Sequence, residues 1–255
     1  MKTYNGYLID LDGTMYRGTE RILEAVQFVQ ALNVRNIPYL FVTNNSSKTK
    51  KQVADVLASF EIPASEEHVY TTSMATANYL ERLKKQASVY CIGEAGIQEA
   101  LQEKGFTFTE ERPDFVVVGI DRSITYEKLA KACLAVRAGA TLISTNGDIA
   151  LPTERGLLPG NGSLTSVISV STETKPTFIG KPEPIIMEMA LEQLGTKKEE
   201  TLMVGDNYQT DILAGITSGM DTLLVHTGVT TKEHLQHIEV QPTYTVNGLD
   251  EWKLK

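Results

Sequence analysis

Short apolar runs alternate with longer amphipathic stretches along most of the chain. Tyr7-Leu8-Ile9 predicts a buried strand, and Ile22, Ala25, Val26 and Val29 then recur at helical spacing over about residues 22–32. Tyr39-Leu40-Phe41-Val42, behind Pro38, predicts a second strand. A helix over about residues 48–60, a short strand near Val69 and a helix over about residues 74–83 follow. The theme continues with strands near 88–92, 115–119 and 141–144, the first two followed by helices reaching Lys104 and Ala138. Late strands are expected at 201–204, 222–225 and 244–246, with a helix after Asp211. Strands alternating with helices predict an α/β fold, a mostly parallel sheet covered by helices on both faces. Two Gly/Pro/Thr-rich stretches break the pattern: 145–162 reads as a functional loop, and 171–184 as a crossing between two lobes.

Composition adds bounds. At 255 residues, 42% hydrophobic and 22% charged, the chain can bury a full core in one large domain or two modest ones. Its formal net charge of −8 repels nucleic-acid phosphates and anionic headgroups, so neither nucleic acid nor membrane is expected as a partner. The same charge repels a phosphorylated metabolite, so a phosphate site needs a locally positive field from a metal, a lysine or backbone N–H groups. Cys91 and Cys133 each lie in an apolar stretch, which predicts buried free thiols in a reducing compartment. No apolar stretch approaches the roughly 18 residues of a membrane span, and the N-terminus runs straight into a strand pattern. A cytoplasmic protein is expected.

Four polar clusters fall at strand or loop ends. The first is Asp10-Leu11-Asp12-Gly13-Thr14. Residues two apart in extended chain point the same way, so Asp10 and Asp12 can face one pocket. Carboxylates this close repel one another unless a cation or a shared proton relieves them. An Asp-Gly turn is the plain alternative. A calcium loop of the EF-hand kind is excluded, because its sixth and twelfth positions hold Met15 and Arg21. The second cluster, Thr43-Asn44-Asn45-Ser46, reads as a helix N-cap run, and equally as hydroxyl and N–H groups able to cradle phosphate.

The third cluster, Gly180-Lys181-Pro182, supplies a fixed positive charge where the backbone can approach closely. It is no P-loop, since Lys175 stands where that motif needs glycine. The fourth, Gly205-Asp206-Asn207-Tyr208-Gln209-Thr210-Asp211, puts Asp206 at a strand end, suited to an oxygen shell for a hard cation. Asp211 could support that shell or cap the next helix. In open α/β sheets ligands bind beyond the carboxyl ends of the strands, so all four clusters can converge there. His234 and His237 lie three apart with no third ligand nearby, His226 has no evident role, and Trp252 reads as a packing anchor.

Taken in this order the clusters resemble the four motifs of the haloacid dehalogenase superfamily. The layout is similar to its NagD and 4-nitrophenylphosphatase branch, in which a large α/β cap is inserted between the second and third motifs. The stretches Thr145-Asn146-Gly147-Asp148, Leu151-Pro152 and Pro159-Gly160-Asn161-Gly162 also look like that branch. The resemblance implies a Rossmann-like core over 1–83 and 176–255 and an α/β cap over 84–175 that sets specificity. It implies an Mg²⁺-dependent phosphatase of small phosphomonoesters: sugar or acid-sugar phosphates, nucleoside monophosphates and 4-nitrophenyl phosphate. Asp10 would be the nucleophile, forming an aspartyl-phosphate, and Asp12 the general acid and base. Thr43 and Asn44 would hold phosphoryl oxygens, Lys181 would balance charge, and Asn146 and Asp148 would contact the leaving group.

For the metal the resemblance implies Asp10, the Asp12 carbonyl and Asp206 as ligands, with Asp211 and Asn207 supporting them from behind. A phosphotransferase or mutase using the same nucleophile stays open, as does a ligand-binding protein that kept the fold. A homo-oligomer is compatible with everything above.

Overall fold

The strand Gly6–Ile9 is buried at every position, and its side chains divide between the two faces of a sheet. Tyr7 and Ile9 join a core with Phe28, Val29, Phe41, Val204 and Val225, while Leu8 on the opposite face is equally buried. A strand buried on both faces needs helices above and below it. The computed structural model describes residues 2–153 and 155–254 and divides into two compact units.

The first unit takes the chain through Thr43, Lys50–Tyr70, and everything from Lys181 onward. Its six-stranded sheet runs Tyr244–Val246, Asp221–Val225, Thr201–Gly205, Gly6–Ile9, Tyr39–Thr43 and Val69–Thr71. The pairings from Tyr244–Val246 across to Tyr39–Thr43 are all parallel. From Gly6–Ile9 the chain winds outward in one direction, and on its other flank Thr201–Gly205 starts winding in the opposite one. The carboxyl ends of these two neighbours therefore flank the crevice that a doubly wound sheet leaves for ligands. Trp252 closes the far side of this core, packed with Tyr4 and Tyr244 and 5% exposed.

The second unit comprises Asn44–Thr49 and Thr71–Gly180. Its five-stranded parallel sheet has the order Thr177–Phe178, Thr141–Ser144, Phe115–Val118, Ser88–Ile92 and Thr107–Phe108. Helices Tyr126–Arg137 and Asn161–Thr172 bury Ala132, Ala135 and Ile168 against Tyr90, Val116 and Leu142. This division differs from the expected insert at 84–175. Helix Thr72–Leu83 belongs to the second unit, because it packs on helix Ala95–Glu103 and its first turn is tied there. The Thr72 hydroxyl donates to the Thr145 carbonyl, and that of Ser73 to Ser46.

Stretch 145–162, expected to be a loop, contains the antiparallel hairpin of Ala150–Thr153 with Gly156–Pro159, and the start of helix Asn161–Thr172. The hairpin has no fully buried position in its strands and so carries no apolar alternation to read. The helix is rich in Ser, Thr and Val, whose weak helix propensity is overridden by packing. Cys91 and Cys133 are free and partly buried, and burial pushes the Cys91 thiol up to about 12. Among the described residues no helix is long and apolar enough to cross a membrane.

Candidate active site

Parallel pairing of Ile9 with Val204 puts the next residues of both strands side by side, and the Asp10 N–H donates to the Val204 carbonyl at 2.9 Å. Asp10 and Asp206, remote in sequence, are thereby brought together at the crevice. Asp211 joins them from the wide turn Tyr208–Ile212, and the three carboxylates each offer an oxygen within 4.8 Å of the others.

Lys181 stands in the middle of this cluster with 2% exposure. Its ammonium donates to Asp10 Oδ1 at 2.5 Å, to Asp211 Oδ1 at 2.7 Å and to the Val42 carbonyl at 2.8 Å. An ammonium group has three donors, and each of these acceptors can take one. Burial alone would lower the lysine's pKa, but Asp10 and Asp211 outweigh it and hold the group above its ordinary value. Asp211 is fixed further by the Asn207 N–H on Oδ2 at 3.0 Å, and the Asn207 side chain accepts from the Gln209 N–H to open the turn.

Asp206 is 1% exposed. Thr14 donates to its Oδ1 at 3.1 Å and the Val229 N–H to its Oδ2 at 2.7 Å. Gly13 and Gly228 lie so close that a Cβ on either would overlap this carboxylate, and Gly13 also has φ +87°. Burial, then the charge of Asp211, push the Asp206 carboxyl up to about 6, against Val229, Thr14 and Lys181. For Asp10, burial and then Asp211 raise the carboxyl well above the usual range, against the pull of Lys181.

One ammonium against three clustered carboxylates leaves a buried surplus of negative charge. Burial first, and then that surplus, raise the Asp10 and Asp206 carboxyls. A divalent cation would relieve it, and an all-oxygen donor set suits a hard one. The residues present therefore fit a divalent metal, with Asp10, Asp206 and Asp211 each offering an oxygen to it.

Asp12 is exposed, and after burial its charge is the next factor keeping the neighbouring Tyr16 phenol protonated. Thr43 is buried at the end of its strand, one residue past the carbonyl that receives Lys181. Asn44, Asn146 and Asp148 come together in the second unit. The Asn146 carboxamide donates to the Asn44 carbonyl at 2.8 Å and accepts from the Asp148 N–H at 3.1 Å. The Asn44 carboxamide in turn reaches both Asp148 oxygens at 3.3 Å. Asn45 performs the turn-capping expected of its segment, its side chain accepting from the Ser47 and Lys48 N–H groups.

Sequence reasoning assigned no role to Thr14 or to the loop after strand Asp221–Val225. The Thr227 hydroxyl donates to the Gly13 carbonyl at 2.6 Å, and Val229 and Thr230 hold Asp206. The Gly228 position was the available signal, but a glycine in a loop reads first as an ordinary turn.

Two family models match the chain, haloacid dehalogenase-like hydrolase over residues 7–107 and HAD-hydrolase-like over 178–252. The 5′-nucleotidase YutF of Bacillus subtilis (strain 168) is 68% identical over 252 residues, spanning 99% of this chain and 98% of that protein. An acid sugar phosphatase of Staphylococcus aureus (strain USA300) is 56% identical over 98% of this chain and 97% of its own. Among solved structures, a double mutant of the thermostable NPPase of Geobacillus stearothermophilus superposes with a TM-score of 0.95, at 63% identity and full coverage of both chains. The chain belongs to the haloacid dehalogenase-like hydrolases, in their NagD-like branch. Within that family it is a phosphoric monoester hydrolase.

Proposed function

We propose that the chain hydrolyses small phosphomonoesters through an aspartyl-phosphate on Asp10, with Mg²⁺ as its metal. The observation that carries this reading is the buried convergence of Asp10, Lys181, Asp206 and Asp211 at the crevice of the sheet. An Asp10 oxygen attacks phosphorus, and the ester oxygen leaves with a proton from Asp12. Water then attacks the phosphorus of the acyl phosphate, giving up a proton to Asp12, and the Asp10–phosphate bond breaks to restore the carboxylate. Asp12 suits this part because it is exposed and can exchange protons with leaving group and water. As a nucleophile Asp10 must stay ionised, and Lys181 together with the bound cation would oppose the burial and the Asp211 charge that raise its carboxyl.

Thr43 is the proposed hydroxyl donor to a phosphoryl oxygen, and Lys181 offsets the charge that builds on the transferring group. Bound by Asp10, Asp206 and the Asp12 carbonyl, Mg²⁺ would supply charge neutralisation for the phosphoryl oxygens. Asn207 and Asp211 hold the ligand-bearing turn in place. The Asn146–Asp148 loop, tied to Asn44, is the proposed specificity element of the second unit.

The activities named for the relatives, a 5′-nucleotidase and an acid sugar phosphatase, support nucleoside monophosphates and acid-sugar phosphates as the substrates to try first. Phosphate release from these and from 4-nitrophenyl phosphate, with Mg²⁺ and with chelator, tests the reading. Turnover is expected only with the metal, and Asp10→Asn is expected to abolish it in a folded protein. An Asp10→Asn variant keeping more than about a tenth of wild-type rate would remove Asp10 from its assigned part, because loss of a covalent nucleophile costs orders of magnitude.

A further inference from the structure

Asp206 is gripped by a loop that contributes no side-chain ligand. Strand Asp221–Val225 ends, and the chain turns back so that the Val229 N–H meets Asp206 Oδ2 at 2.7 Å and the Thr230 N–H meets the Asp206 backbone carbonyl at 3.1 Å. The Thr230 hydroxyl, on a residue 5% exposed, accepts from the N–H of Tyr208 at 2.8 Å. Tyr208 is the first residue of the turn that carries Asp211. A single buried threonine therefore touches the backbone of one carboxylate and the start of the turn bearing another. The His226 ring nitrogen Nδ1 lies 3.0 Å from the Thr230 carbonyl and closes the loop, while Thr227 ties it to Gly13.

We propose that Thr230 is a positioning residue that sets the spacing of the Asp206 and Asp211 carboxylates and so tunes divalent-metal affinity. Its consequence for turnover rests on the phosphatase reading above. The turn Tyr208–Ile212 is wound more widely than an α-helix, and its first N–H finds its partner outside the turn, on Thr230. Without that hydroxyl the turn can shift against Asp206, and Asp211 and the Lys181 it holds shift with it. Groups that orient metal ligands typically matter by roughly 10- to 100-fold in affinity.

The test compares wild type with Thr230→Val, which keeps the shape and removes the oxygen, and with Thr230→Ser, which keeps the oxygen. Mg²⁺ alone is titrated by calorimetry and by the rise in Tm it produces, and Mg²⁺ activation of phosphate release is followed in parallel. Thr230→Val is expected to weaken Mg²⁺ by roughly 10- to 100-fold. Saturating Mg²⁺ should restore kcat, and Thr230→Ser should bind as wild type does. Thr230→Ala replaces the valine variant if that one does not fold.

A purely structural role would lower the metal-free Tm and leave Mg²⁺ affinity where it was. That result, in a wild type that both binds Mg²⁺ and releases phosphate, overturns the positioning role alone. A wild type that does neither overturns the phosphatase reading together with it.

Discussion

Lys181 is the side chain on which the charge balance of the site turns. It is buried between Asp10 and Asp211, and removing one member of a buried ion cluster strands the others in a low dielectric. Lys181→Met is expected to destabilise the metal-free protein by about 3–5 kcal/mol, read from denaturant unfolding, and to depress turnover severely. A loss under about 1 kcal/mol, the range of an exposed pair, would mean the lysine carries little of the balance. In the sequence Lys181 was visible only through its motif, since a lone lysine reads as a solvent-facing charge. Spacing alone marked Asp10 and Asp12 as a pair able to face one pocket. What spacing could not separate was their environments: Asp10 sits against Lys181, whereas Asp12 faces solvent. That difference arises from contacts with residues far away in the chain.

Strands were the most readable elements, because in Gly6–Ile9, Tyr39–Thr43 and Thr201–Gly205 every position is buried and the apolar run is continuous. Helix Asn161–Thr172 was not readable. Its start is tied by tertiary contacts, where the Asn161 carboxamide, 2% exposed, reaches the Val118 and Asn146 carbonyls and the Ser144 and Thr145 hydroxyls. These bonds fasten the helix start to strands Phe115–Val118 and Thr141–Ser144. Asn161→Ala is expected to cost about 1–3 kcal/mol, the penalty for leaving buried polar groups short of a partner. Equilibrium unfolding measures it, and a change below about 0.5 kcal/mol, the scatter of neutral surface substitutions, would show that the helix is held by its apolar face instead. Helix Thr72–Leu83 gives the complementary lesson. Its presence was legible, but its allegiance to the second unit depends on Thr72 and Ser73 hydroxyls reaching Thr145 and Ser46.

Across the molecule, an acidic chain of net charge −8 whose crevice gathers three carboxylates around one lysine needs added positive charge there to hold a phosphomonoester. Lys181 supplies part of the positive charge and, on the proposed reading, a divalent cation supplies the rest; that cation should also stabilise the fold by relieving Asp10 and Asp206. Tm is expected to rise with Mg²⁺ concentration in wild type, by linkage of binding to folding. In Asp206→Ala the rise should shrink or vanish, and an unchanged Mg²⁺ response in that variant would remove Asp206 from the ligand set. The most direct measurement traps the covalent bond itself. Wild type is acid-quenched during turnover of 4-nitrophenyl phosphate, reduced with borohydride, which converts an aspartyl-phosphate to homoserine, and mapped by peptide mass spectrometry. Homoserine at position 10 and at no other carboxylate is the predicted result; homoserine at a different residue, in an enzyme turning over normally, would contradict it.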